Sequence, residues 1–219
     1  LGFKDDIIKT IPVGTDTQFF ASSKQTKSSV FTIIFIGRLI PLKGVALLPE
    51  IDQILQKQIG DSFEIIVVGD GPLREDLERY NNEVIKSNIR ILGRLSIEEV
   101  FKALERSHVL LYPGYSDEQG REETQGVIIQ EAMSMALPVV VTDVGGVAEA
   151  VANNVTGFVT SQKDVLKIVS KLRFFYENKE ITSQMGKEAR KLVTEKYDLQ
   201  VVGNRLIKEV YKIKELFGE

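Results

Sequence analysis

Two periodicities alternate along the chain. Short runs rich in β-branched residues (VFTIIFI at 30–36, FEIIVV at 63–68, IRIL at 89–92, HVLLY at 108–112 and PVVVT at 138–142) are separated by longer stretches with an apolar residue every three or four positions. The short runs are apolar on both faces, as strands covered by helices on either side must be. Their order predicts an α/β fold: an open, doubly wound, Rossmann-like parallel sheet of about six strands, with TGFVT at 156–160 as the sixth, and right-handed crossovers. Too few βα units are present for an eightfold barrel.

Helices are predicted over 43–58 (kinked at Pro49), 72–86, 96–107, 125–135 and 147–152. Ser96 and Glu99 form a capping box, and Pro72 suits a first helical turn. Beyond Gln162 the pattern is helical throughout. Its last stretch repeats Val202, Leu206, Val210, Ile213 and Phe217 among charged residues, which fits either a helix packed on this domain or a strap reaching another. The polar break SSKQTKSS at 22–29 separates an entering linker, 1–29, from a core of 30–196, and a C-terminal helix covers 197–219.

Composition then removes function classes. With 219 residues the chain can bury a full core, and a net charge of -3 gives no general attraction to nucleic acid. No cysteine and one histidine, His108, exclude a disulfide framework, a thiolate nucleophile and a histidine or cysteine metal site. No apolar run approaches the roughly 20 residues of a spanning helix. The chain begins without an initiator Met, basic n-region or cleavage site, so the expected location is cytoplasmic and the chain reads as a piece of something longer.

The unusual residues follow the strands. Gly37-Arg38…Lys43-Gly44, Gly69-Asp70-Gly71-Pro72, Gly93-Arg94-Leu95, the loop from Pro113 to Glu123, and Asp143…Gly146 all fall on one edge of the predicted sheet, the edge where such folds bind ligands. Glycines and helix N-termini there suit an anion. Arg38 and Lys43, five residues apart across a Pro-stiffened turn, suit a diphosphate, although both also fit solvated loop positions in a chain with 28 Lys and Arg. Neither glycine pattern is a dinucleotide fingerprint or a Walker loop. Glu123 falls just before a helix whose first turn includes Gly126, and Glu131 lies about one and a half turns inside it. Two separated carboxylates are natural acceptors for vicinal hydroxyls. Helix-dipole preference is the simpler account of an acid there. Glu131, however, sits among Val127, Ile128, Ile129, Ala132 and Met135, where a charge needs a partner.

Assembled, these residues resemble the C-terminal, donor-binding domain of retaining GT-B glycosyltransferases. IPVGTDTQFF is similar to that family's linker, GRLIPLKG to its diphosphate loop, GDGPLREDLE and ILGRLS to its next two βα turns, and EETQGVIIQEAMSMALPVVVTDVGG to its two-glutamate signature. The resemblance covers nearly the whole chain. It implies that Arg38 and Lys43 hold and stabilise a departing diphosphate, and that Glu131 binds ribose hydroxyls. It further implies that Glu123 contacts the transferred sugar, that Thr124, Gln125, Gly126 and Val127 lie near sugar and phosphate, and that Gly93, Arg94 and Leu95 meet the base. Gly37 lets the donor approach. The implied chemistry retains anomeric configuration by front-face attack without a protein nucleophile, and no metal or other cofactor is expected beyond the nucleotide-sugar substrate. UDP-sugars are favoured over GDP-mannose or ADP-glucose. The implied partners are an N-terminal acceptor domain outside this chain and an acceptor glycan or lipid-linked glycan, with peripheral attachment at the inner membrane face through that domain. Thr124-Gln125 stands where relatives have Gly-Phe, and Ala136 where a helix-ending glycine is usual. His108 is read as structural. A non-catalytic nucleotide-sugar-binding module and a nucleotide-sugar epimerase of the same architecture remain as alternatives.

Overall fold

The computed structural model describes residues 9–21 and 27–217, the side chains of 213–217 excepted. Residues 22–26 of the polar break, and the side chains of Ile213 and Phe217 in the last apolar stripe, therefore lie outside the description. The strands are β1 (Phe31–Ile36), β2 (Phe63–Val68), β3 (Ile89–Gly93), β4 (Val109–Tyr112), β5 (Val139–Thr142) and β6 (Gly157–Thr160). They form one parallel sheet in the order β3-β2-β1-β4-β5-β6. The doubly wound expectation holds.

Period-two alternation builds a core on each face of the sheet. Ile33, Phe35, Ile65 and Val67 point into one cluster, with Leu55 and Leu172; Ile34, Ile66, Leu110 and Val141 point into the other, with Ile129 and Val193. The first face is covered by α1 (Leu48–Ile59), α2 (Arg74–Glu83) and α5 (Val165–Glu177), the second by α3 (Ile97–Arg106), α4 (Val127–Ser134) and α6 (Lys179–Lys196). Burying each large side chain contributes about 1.5–3 kcal/mol. A last helix, α7 (Leu199–Phe217), follows. Among the described residues, no helix is long and apolar enough to cross a membrane.

Several local expectations are corrected. The helix predicted from 43 is two 3-10 turns, Pro41–Lys43 and Val45–Leu47, before α1 begins. Pro49 sits in the first turn of α1, where its missing N–H costs nothing, so it starts the helix rather than kinking it. Pro72 precedes α2 and lies outside it. The helix predicted at 147–152 is a 3-10 stretch, Gly145–Ala150. Ser96 and Glu99 do form the capping box of α3. Ala136 takes the left-handed conformation, φ 55°, that its position in the resemblance assigns to glycine, at a cost of roughly 1 kcal/mol.

Candidate functional site

At the carboxyl ends of β1 and β4 the connections leave in opposite directions, one toward β2 and the other toward β5, and a crevice opens between them. A cavity of about 600 Å3 lies there, lined by Gly37, Arg38, Lys43, Leu95, Glu123, Thr124, Gln125, Gly126, Val127 and Glu131. A neighbouring cavity of about 610 Å3 toward β2 and β3 shares Gly37, Arg38 and Leu95 and adds Arg94 and Asp70. Gly93 is not among the lining residues of either. Its carbonyl accepts the N–H of Gly69 at 2.8 Å, so it fixes the turn rather than facing the crevice.

The centre is a three-member cluster. Lys43, held by the 3-10 turn after β1, donates to the Tyr112 hydroxyl at 2.7 Å and forms an ion pair with Glu123. Tyr112, the last residue of β4, donates in turn to Glu123 Oε2 at 2.8 Å. Only 16% of the Lys43 side chain and 19% of the Glu123 side chain is exposed, so the pair interacts through little water. Burial works to raise the Glu123 carboxyl, but the hydrogen bonds from Lys43 and Tyr112 outweigh it and hold the group below its ordinary range. Burial and the neighbouring carboxylate push the Tyr112 phenol far up, so it remains a donor at any working pH. The sequence reading missed Tyr112. Its signal was a lone hydroxyl-bearing aromatic at the carboxyl end of an aliphatic strand.

Two further groups face the cavity without protein partners. Arg38 is exposed and makes no ion pair among the described residues. Glu131, partly buried on α4, has no hydrogen-bond partner among the described residues, and burial raises its carboxyl. Gly126, φ 56°, is the N-cap of α4 rather than part of its first turn, and no side chain caps that end. The leading N–H groups of α4 therefore remain available to an anion. Gln125 is tied to Val13, which lines the same cavity: its amide accepts from Val13 N–H at 2.8 Å and donates to Val13 C=O at 2.7 Å.

The loop that carries Glu123 rests on Gly145 and Gly146. A Cβ on either would stand 2.0 Å from the carbonyl oxygen of Glu123 or Thr124 respectively, and Gly145 also has φ 48°. Gly146 N–H donates to Glu123 C=O at 3.2 Å. His108 precedes β4 rather than lying in it. Its Nδ1 accepts the Thr32 N–H at 3.0 Å, and burial, reinforced by Lys27 and Lys179, lowers its pKa to about 4, consistent with a structural part.

Comparison with known proteins places the chain in a family. A curated relative, "Sulfoquinovosyl transferase SQD2" of Arabidopsis thaliana, is 31% identical over 182 residues, 82% of this chain and 33% of its own length. The chain spans 33–44% of the length of the curated relatives matched first. The solved structure of Anabaena Alr3699/HepE in complex with UDP has the same fold, with a TM-score of 0.81 at 19% identity over 96% of this chain and 59% of that one. The C-terminal domain of the group 1 family protein LpcC from Francisella tularensis is matched over its whole length, with a TM-score of 0.73 at 19% identity over 85% of this chain. The family model described as "Glycosyl transferases group 1" matches residues 16–192, and the chain belongs to that family.

Proposed function

We propose that the chain is the donor-binding half of a glycosyltransferase that moves a sugar from a nucleoside-diphosphate sugar to an acceptor hydroxyl with retention of configuration. The carrying observation is the convergence of Arg38, Lys43, Glu123 and Glu131, whose carboxyl has no hydrogen-bond partner among the described residues, on one crevice at the switch point of the sheet. Arg38, Lys43 and the open end of α4 take the diphosphate. Its arrival draws the Lys43 ammonium toward phosphate oxygens and frees a Glu123 oxygen for the hydroxyls of the transferred sugar. Glu131 accepts from the ribose diol. Leu95 and Arg94 border the neighbouring cavity, where the base fits.

In the transfer step the bond from the anomeric carbon to the diphosphate oxygen breaks. The two cations neutralise the charge that develops on that oxygen. The acceptor oxygen bonds to the same face of the carbon, and its proton passes to the departing diphosphate. No protein nucleophile takes part. The acceptor and the domain that holds it lie outside this chain, with the cytoplasmic membrane face as the setting for a lipid-linked acceptor. UDP is the favoured nucleotide, in keeping with the UDP and UDP-glucose complexes of the HepE neighbour.

The test is thermal stability with UDP, GDP and ADP in metal-free buffer. A nucleotide at 100 times its dissociation constant is expected to stabilise the chain by about 2.7 kcal/mol. Arg38→Ala should abolish the response. An unchanged response in that variant, or none from any nucleotide in either this chain or its full-length parent, overturns the donor-site reading.

A further inference from the structure

A cavity of about 390 Å3 lies at the opposite edge of the sheet, where the strands begin. It is bounded by Phe31 at the start of β1, by His108 just before β4, and by Tyr176 near the end of α5. Lys179 and Ser183, from the first turns of α6, complete its rim. None of these residues belongs to the crevice described above, and the volume falls within the usual range of small-molecule sites.

The wall is built of donors. Lys27 and Lys179 both line it, and among the described residues that line it there is no carboxylate. The Lys27 ammonium is buried without a hydrogen-bond partner among the described residues, although Glu105 contributes to its electrostatic surroundings. A buried ammonium with no hydrogen bond is costly, and the cost falls when an anion arrives. His108 adds a further donor: Nδ1 accepts from Thr32, so the proton of the neutral ring sits on Nε2, which has no partner among the described residues. The α6 end has no side-chain cap, and its dipole adds positive potential. Facing these groups, Phe31 and Tyr176 meet edge to face at 5.7 Å between ring centres and supply an apolar surface.

We propose that this cavity binds a small organic phosphate monoester, its dianionic head on Lys27 and Lys179 and its apolar body against Phe31 and Tyr176. Two point-charge ammonium groups match the two negative charges of a phosphate monoester dianion, where a carboxylate carries one. The aromatic wall distinguishes an ester with an apolar substituent from free phosphate.

His108 is the one histidine of the chain, so its imidazole resonance in the untagged protein reports on this cavity alone. Phenyl phosphate is titrated to about 10 mM, ten times a millimolar dissociation constant. Expected is a saturable shift of that resonance, weakened at least tenfold in Lys27→Met and in Lys179→Gln and retained in Arg38→Ala. Lys179→Gln alone decides the matter should Lys27→Met fail to fold. No shift, or a shift that neither lysine variant weakens, overturns the proposal. Inorganic phosphate binding as tightly as phenyl phosphate would remove its apolar half. Because Arg38→Ala empties the crevice and spares this cavity, each reading can fail without the other.

Discussion

At the scale of the residue, burial makes ordinary side chains conditional. His108 is neutral in the fold because burial penalises its charged form and because Lys27 and Lys179 face it, while its Nδ1 accepts the Thr32 N–H. Its folded pKa of about 4 lies below the unfolded value of about 6.5, so between those values the unfolded chain binds the extra proton. Stability from this group is therefore complete above about pH 6.5 and is lost as pH falls toward 4, by about 2 kcal/mol after allowance for the ring's partial exposure. His108→Asn offers an amide oxygen to the same N–H and carries no proton to titrate. Urea midpoints between pH 4 and 7 should fall steeply toward acid in the parent and be flatter in the variant; parallel slopes would show that other groups set the acid limit. Glu131 illustrates the same physics with the opposite sign, an acid whose carboxyl burial pushes up.

At the scale of the element, the site depends on a contact between two loops. The 3-10 stretch that begins at Gly145 supports the backbone of Glu123 and Thr124 so closely that no Cβ fits between them. Gly146→Ala should force the two loops apart and cost about 2 kcal/mol, as overpacking of a tight contact does. Nucleotide-induced stabilisation should fall with it, since Glu123 and the open end of α4 move together. A variant with parental urea midpoint and parental nucleotide response would mean that the loops yield without consequence. The elements themselves were legible in sequence, because strands apolar on both faces and helices of period near 3.6 bury predictable surfaces. The capping box of α3 and the strand TGFVT were equally readable. What the pattern hid were relations across distance: Tyr112 meeting Lys43 and Glu123, and Gly145 packing on a carbonyl 22 positions away. Pro49 departs from the expected kink because a proline marks either a kink or a beginning, and only the 3-10 turns before it decide which.

At the scale of the whole molecule, the segment 13–20 ties the site to the far end of the chain. Gln125, at the rim of the crevice, holds Val13 by both amide atoms. Two residues on, Thr15 N–H donates to Tyr197 C=O at 2.8 Å and Thr15 C=O accepts from Leu199 N–H at 3.1 Å, at the junction of α6 and α7. Thr17, buried, donates to Asp198. Asp198 has a second task, since its other oxygen accepts the Gln200 N–H at 2.9 Å and so caps α7. Loss of the cap and of the Thr17 bond together should cost Asp198→Ala about 2 kcal/mol. Asp198→Asn keeps an acceptor for the cap and should lose roughly half as much. If the segment only anchors α7, both variants will lower the urea midpoint and leave nucleotide affinity untouched. If it also braces the crevice through Val13 and Gln125, Asp198→Ala will weaken nucleotide binding beyond its effect on stability, and Gln125→Ala will do so with little change in midpoint. The geometry favours the second outcome, because Val13 is bonded to the residue that immediately precedes the N-cap of α4.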